Sequence, residues 1–370
     1  MLPSLFLYVL AFAASCALAA PPKSSRRSKE PQYFDQENAI TSVTEVPKEY
    51  LDWYLSFMLF SSATYCPSSM ILPKWDCGIP SRNLPTFVPT KAGGDGSSVQ
   101  RYIVGHWPDE TAVVVAYQGT DPTSLEAILT DLNFPHTTLS PEIFPGIPDD
   151  VRVHRGFARA HNNTARIVLG EVQRLRAVTG YTKVYITGHS LGGVLATLTT
   201  LMLQRHVPDL QTKTVTFGMP RIGNPAFAKF FDNNVRDFKR VNLYRDMIPV
   251  LPPRNIAFGD SYYEFLHTKG EIHILKNGTT LACPGNDHKE PGCHASDVDS
   301  FLSGNPADHL GPYPPARLRL GADFCQSIEE AQSSAAHVKG FKYDALAWLF
   351  ELPRNKYVKG AIDWVKGFFP

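Results

Sequence analysis

Apolar residues along this chain alternate between short β-branched runs and longer stretches at helical spacing. The spacing predicts a helix over 45–63, where Tyr50, Leu51, Tyr54, Leu55, Met58 and Leu59 recur at three- and four-residue intervals. Residues 67–95, rich in Pro, Gly, Ser and Trp, read as irregular. Residues 100–107 and 111–118 read as a strand pair turning at Pro108-Asp109; the second is nearly all Val and Ala and so is buried on both faces. Val184-Tyr185-Ile186, 214–218 and 238–243 read as further buried strands, and 262–266 and 271–275 as strands near the sheet edge. Helices are predicted over 123–134, from the segment after 151–157 through Val178, over 194–203 and over 227–235. Strands alternating with helices predict an α/β fold, with a mostly parallel central sheet covered by helices on both faces.

The two ends depart from this pattern. Residues 5–14 form an apolar run too short to span a bilayer, and Ala17-Leu18-Ala19 suits a small-x-small cleavage site, so 1–20 reads as a secretory signal peptide, with a membrane anchor as the alternative. Residues 21–44 read as a polar lead-in or pro-segment, with Arg26-Arg27 as a dibasic processing site or an ordinary solvated tail. The main domain is expected over 45–325. Residues 326–370 form an amphipathic extension in which Tyr357, Val358, Ala361, Ile362, Val365, Phe368 and Phe369 lie opposite Lys359 and Lys366; it docks on the core or lies at a lipid surface.

Composition narrows the class. At 43% hydrophobic, 370 residues suffice for one large core, and 36 basic against 35 acidic residues leave no field to draw nucleic acid. In a secreted chain the cysteines imply disulfides. Cys283 and Cys293 flank a polar loop and suit a local bridge; Cys325 pairs with Cys66 or, less favoured, Cys77, and an odd thiol is left once Cys16 departs with the signal. No zinc-ligand spacing is present, and no metal or cofactor is expected. Asn162-Asn163-Thr164 and Asn277-Gly278-Thr279 are glycosylation sequons.

The chemistry concentrates at Gly188-His189-Ser190-Leu191-Gly192-Gly193, a G-x-S-x-G turn between a predicted strand and a predicted helix. Such a turn exposes the Ser190 hydroxyl and aims the Leu191 N–H at a developing oxyanion. A serine needs a base oriented by a carboxylate, and in this type of sheet the order is Ser, acid, His. Asp246 directly follows a strand and suits the acid, with Asp260 in reserve. Of the histidines that follow, His267 and His273 read as packed or edge residues and His288 and His294 belong to the cysteine loop, while His309 lies in a late loop able to reach over the strand ends.

These segments, with Gly119-Thr120, Val153-His154-Arg155-Gly156-Phe157, Arg245-Asp246-Met247-Ile248-Pro249 and Asp308-His309-Leu310, resemble the secreted fungal class 3 lipases over roughly 50–325. The resemblance implies an α/β-hydrolase with Ser190, Asp246 and His309 as nucleophile, acid and base. It places oxyanion donors at Thr120 and Leu191. It makes 123–134 a lid whose apolar face, Leu125, Ile128, Leu129 and Leu132, covers the site; a fixed core helix is the competing reading. Gln118 stands where the family usually has Arg. The expected function is a secreted, monomeric triacylglycerol lipase working at a lipid–water interface through an acyl-enzyme. A feruloyl esterase or phospholipase of the same fold, or a non-catalytic lipid-binding protein, are the alternatives.

Overall fold

The computed structural model describes residues 41–47, 49–120, 135–258, 260–315 and 318–320. The expected signal peptide, most of the lead-in, the lid residues Leu125, Ile128, Leu129 and Leu132, Cys325 and the C-terminal extension lie outside the described residues.

In chain order the strands are β1 (Thr44–Glu45), β2 (Val88–Gly93), β3 (Tyr102–Trp107), β4 (Ala112–Tyr117), β5 (His136–Thr138), β6 (Arg152–His154), β7 (Lys183–His189), β8 (Gln211–Phe217), β9 (Phe238–Leu243), β10 (Asn255–Phe258), β11 (Ser261–Glu264), β12 (Glu271–Ile274) and β13 (Thr280–Cys283). Nine of them form one sheet in the order β1-β13-β12-β9-β8-β7-β4-β3-β2. Its centre, β4-β7-β8-β9-β12, is parallel; both ends are antiparallel. The strands of the parallel centre run in one direction, so β4, β7, β8 and β9 end together, and that end carries the elbow.

Strand periodicity sorts the side chains onto two faces. Ala112, Val114, Ala116, Tyr185, Val215, Phe217, Val241, Leu243, Ile272 and Ile274 face the helix Glu49–Ala63. Val113, Val115, Tyr117, Val184 and Ile186 face the helices Ala165–Thr179 and Leu191–His206. On β9 and β12 the second face is polar instead: Arg240, Asn242, Glu271 and His273 are all buried there. Arg240 Nη1 meets Glu271 Oε2 at 2.8 Å, and the His294 N–H donates to Glu271 Oε1 at 2.7 Å, so the segment after Cys293 covers this layer.

Several elements differ from the sequence reading, each for a local reason. The stretch read as irregular contains β2, an edge strand with a register shift between Pro89 and Lys91. Proline cannot donate to a ladder and is accommodated at an edge or bulge. The long helix after β6 is two, Arg155–Asn162 and Ala165–Thr179. Between them the Thr164 hydroxyl takes the His161 carbonyl, the side-chain competition that weakens Asn and Thr in helices. β11 pairs only with β10, outside the main sheet, and its residues are mostly exposed. β13, unpredicted, pairs with β12 across a turn in which Gly278 takes φ +91°.

Cys283 and Cys293 are bridged, with Cα atoms 5.8 Å apart. Cys66 is disulfide-bonded. Cys77 is a buried free thiol, pushed up to about 12 by burial. No helix among the described residues is long and apolar enough to cross a membrane.

Residues from the segment read as irregular also close the first core. Phe60 meets Phe87 edge-on at 4.8 Å and Trp107 at 5.5 Å, with Trp75 at 6.4 Å. Phe60→Ala is expected to lower unfolding free energy by about 3–5 kcal/mol in urea titration. Tyr262→Ala, at a residue 67% exposed, is expected to stay within about 0.5 kcal/mol of the parent.

Candidate active site

Helix Leu191–His206 begins directly after β7, leaving Ser190 alone in the turn with φ +56° and ψ −128°. A residue with a Cβ holds that backbone only under constraint, at a cost of order 1–3 kcal/mol. The constraint is packing. The Ser190 N–H donates to Phe217 O at 2.8 Å. A Cβ on Gly188 would stand 2.2 Å from Gly192 O, and one on Gly192 would stand 2.3 Å from Tyr117 O. Both glycines are therefore required by the approach of the helix to β7 and β4.

Asp246 follows the end of β9 after Tyr244, which takes φ +47°, and Arg245. It is fully buried. Its Oδ1 accepts from the Ile248 N–H at 2.9 Å, and its Oδ2 lies 2.8 Å from His309 Nδ1. His309 ends the single turn Pro306–His309, opened by Pro306 and capped by the Asn305 side chain. The carboxylate is an acceptor, so Nδ1 carries the hydrogen and Nε2 presents its lone pair. That Nε2 is buried and has no hydrogen-bond partner among the described residues, Ser190 Oγ included. Gly218, at φ +55°, makes the meeting possible: a Cβ there would lie 2.6 Å from Asp246 Oδ2 and 2.9 Å from the His309 ring.

His189, whose role sequence reasoning missed, fixes the backbone of His309. Its Nε2 donates to the His309 carbonyl at 2.8 Å, and its Nδ1 accepts from the Tyr65 hydroxyl at 2.6 Å. With the tyrosine donating, the neutral ring satisfies both neighbours. Burial, then the neighbouring His309, holds its pKa well below the usual histidine range. The two imidazoles lie tilted at 32° with centroids 4.3 Å apart, and the Tyr313 hydroxyl donates to the same carbonyl at 3.4 Å. Tyr65 lies just after the first helix and gave no sequence signal beyond its aromatic character.

On the other side of the serine, Gly119 brings the end of β4 close: a Cβ there would sit 2.9 Å from Ser190 Cβ. The next residue, Thr120, has an Oγ1 shielded from solvent with no hydrogen-bond partner among the described residues. The Leu191 N–H is at the start of a helix, where intrahelical acceptors are lacking. Gln118 is buried and accepts from the Arg101 N–H at 3.2 Å through Oε1. A cavity of about 470 Å³ lined by Tyr244, Arg245, Lys276, Asn305 and Asp308 includes none of Ser190, Thr120 or His309, and so lies beside the acid turn.

The arrangement is a serine at a strained elbow, a buried carboxylate–imidazole pair and polar groups converging from the end of β4. It is suited to acyl transfer.

Comparison with known proteins agrees with this geometry. The family model "Lipase (class 3)" matches residues 114–256. A secreted mono- and diacylglycerol lipase of Malassezia restricta is 32% identical over 236 residues, covering 63% of this chain and 74% of that protein. One of Malassezia globosa is 30% identical over 166 residues, covering 45% and 54%. The chain spans about half the length of the first curated relatives it matches. Lipase II from Rhizopus niveus has a similar structure, with a TM-score of 0.64 at 23% identity over 76% of this chain and 99% of that one. The triacylglyceride lipase of Rhizomucor miehei has a TM-score of 0.63 at 23% identity, over 77% and 100%. At that identity the structures establish the fold, the α/β-hydrolase fold of these lipases. The sequence match, carried across three-quarters of the Malassezia restricta protein, is what establishes descent: the chain belongs to the class 3 lipase family.

Proposed function

We propose that this chain is a secreted lipase that hydrolyses glycerol esters, with Ser190 as nucleophile, His309 as base and Asp246 as orienting acid. The observation that carries the reading is the buried Asp246–His309 hydrogen bond, which leaves a bare Nε2 on the ring beside the elbow. Ser190 Oγ attacks the ester carbonyl as its proton passes to His309 Nε2, and Asp246 stabilises the imidazolium. The tetrahedral oxyanion faces the Leu191 N–H and the N–H and hydroxyl of Thr120. Collapse expels the glycerol oxygen, which takes the proton from His309. Water then attacks the acyl-enzyme along the same path and frees the fatty acid.

In this reading 45–325 is the catalytic domain, 1–20 the signal peptide, and 123–134 the lid whose apolar face meets a lipid–water interface. Triacylglycerol is one substrate. Several relatives are secreted mono- and diacylglycerol lipases, which favours those substrates as well. Of the two sequons, Asn277 lies on an exposed turn and accepts from the Thr279 N–H at 2.9 Å, whereas the threonine of the Asn162 sequon is buried. Asn277 is thus the better acceptor for a glycan.

Three outcomes are expected. Purified protein hydrolyses emulsified mono-, di- and triolein, and Ser190→Ala lowers each rate by roughly 10⁴-fold or more; a wild-type protein inert on every glyceride would end the lipase reading. Thr120→Val, which keeps the N–H and removes the hydroxyl, lowers kcat about 10²–10³-fold with little change in KM. Mass mapping of the protein secreted from a eukaryotic host finds glycan at Asn277 in preference to Asn162, and a bare Asn277 refutes that assignment.

A further inference from the structure

His273 lies mid-strand in β12, fully buried, opposite Asn242 of β9. Both its ring nitrogens face backbone carbonyls. Nδ1 is 2.7 Å from Gly292 O, within the loop closed by Cys283 and Cys293; Nε2 is 2.7 Å from Tyr244 O, two residues before Asp246. A carbonyl oxygen only accepts, so both contacts are hydrogen bonds only when both nitrogens carry hydrogen. The neutral ring would set a lone pair against one of the oxygens. His273 and His189 therefore differ in kind, since His189 has one donor and one acceptor as neighbours.

The charged groups around His273 permit this. On the short helix His294–Asp297, Asp297 Oδ2 lies 4.0 Å from Nδ1, and the His294 ring stands edge-on at 5.2 Å. Burial, then the neighbouring His273, keeps the pKa of His294 well below the ordinary range, so it adds no competing charge. Arg240 of β9 and Glu271 of β12 are engaged with each other.

The carbonyl that His273 holds belongs to the peptide between Tyr244 and Arg245. The N–H of that same peptide donates to Asp308 Oδ2 at 3.2 Å, and Asp308 is the neighbour of His309. Arg245 O in turn accepts from the Asn305 N–H at 2.6 Å, at the cap of the turn that carries His309. One peptide plane thus lies between His273 and the segment bearing the base, and it leads directly into the acid. Tyr244 takes φ +47° there, a conformation a non-glycine residue keeps only when its neighbours impose it.

We propose that His273 is a positioning residue for the Asp246–His309 pair, a doubly protonated ring that ties the Cys283–Cys293 loop to the Tyr244–Arg245 peptide. The proposal rests on the hydrolytic reading of Ser190, Asp246 and His309 for its effect on rate, but not for the state of the ring. A ring lacking either hydrogen would lose one of the two bonds and loosen the turn that leads into Asp246.

The test has two arms. In wild-type protein labelled with ¹⁵N-histidine, proton–nitrogen spectra below neutral pH should show one ring with both N–H groups present and protected from solvent exchange. The absence of any such ring overturns the proposal, whether or not the enzyme hydrolyses glycerides. In the second arm His273→Gln, which keeps only one of the two contacts, is assayed on diolein, with rates counted per site titrated by an organophosphate. The expected result is a fall in kcat of about 10²-fold with KM within about twofold, and a pH profile that differs from wild type. An unchanged kcat per titrated site with an unchanged pH profile overturns the proposal. Where His273→Gln yields no folded protein, the wild-type spectrum alone decides.

Discussion

The hydrogen bond between Asp246 and His309 joins residues 63 apart in sequence and is sealed from water. Its position is set by backbone more than by side chain. Asp246 sits three residues beyond the end of β9, and His309 ends a one-turn helix lying beside it. Their side chains meet in the space left by the missing Cβ of Gly218, just after β8. The parallel centre of the sheet exists, for function, to bring those strand ends to one level.

A buried carboxylate–imidazole pair next to a strained serine needs rigid support, and most of it comes from polar groups that are themselves buried. Arg221 is paired with Asp287 at 2.7 Å and also donates to Val250 O and to Pro252 O, the latter at 2.8 Å, so it holds the segment after the acid. Burial pushes the Asp287 carboxyl up, but Arg221 and the other positive neighbours outweigh it and hold it below the usual carboxylate range. Such pairs contribute little net stability against well-packed apolar substitutes, yet breaking one partner costs about 3–5 kcal/mol. That asymmetry suits a support, which must have one geometry more than it must be stable. Asp287, Gly292 and His294 all belong to the disulfide loop or its edge, so the loop is part of the support for the acid turn.

Much of this was legible in the sequence where local chemistry was decisive. β9 is found at the residues its pattern implies, and β7 and β8 begin earlier than theirs, because alternating or continuous apolar positions mark a strand. The elbow was legible because two close approaches demand glycine at fixed spacing from the serine. Asp246 and His309 could be nominated from chain order, though nothing in the sequence measures their separation. What stayed hidden depends on distant cover. The alternation Arg240-Val241-Asn242-Leu243 and Glu271-Ile272-His273-Ile274 looks like a strand with one wet face; only the loop after Cys283, folding back over it, makes that face an interior. β2 was hidden by Pro89 and Gly93, residues that an edge strand tolerates and a pattern reading penalises.

The same contrast explains why two histidines in such similar surroundings do different work. His189 and His273 are both buried, and each gives a hydrogen to a backbone carbonyl that fixes part of the Asp246–His309 pair: His309 O in one case, Tyr244 O in the other. Burial alone would make both neutral, because a charged ring loses its hydration. The second nitrogen breaks the symmetry. At His189 it meets a tyrosine hydroxyl that can donate, so the neutral ring satisfies both neighbours and adds no charge beside His309. At His273 it meets another carbonyl, with Asp297 Oδ2 4.0 Å away, so only a ring with both hydrogens bonds both neighbours. Partner chemistry, more than depth of burial, thus distinguishes the two rings.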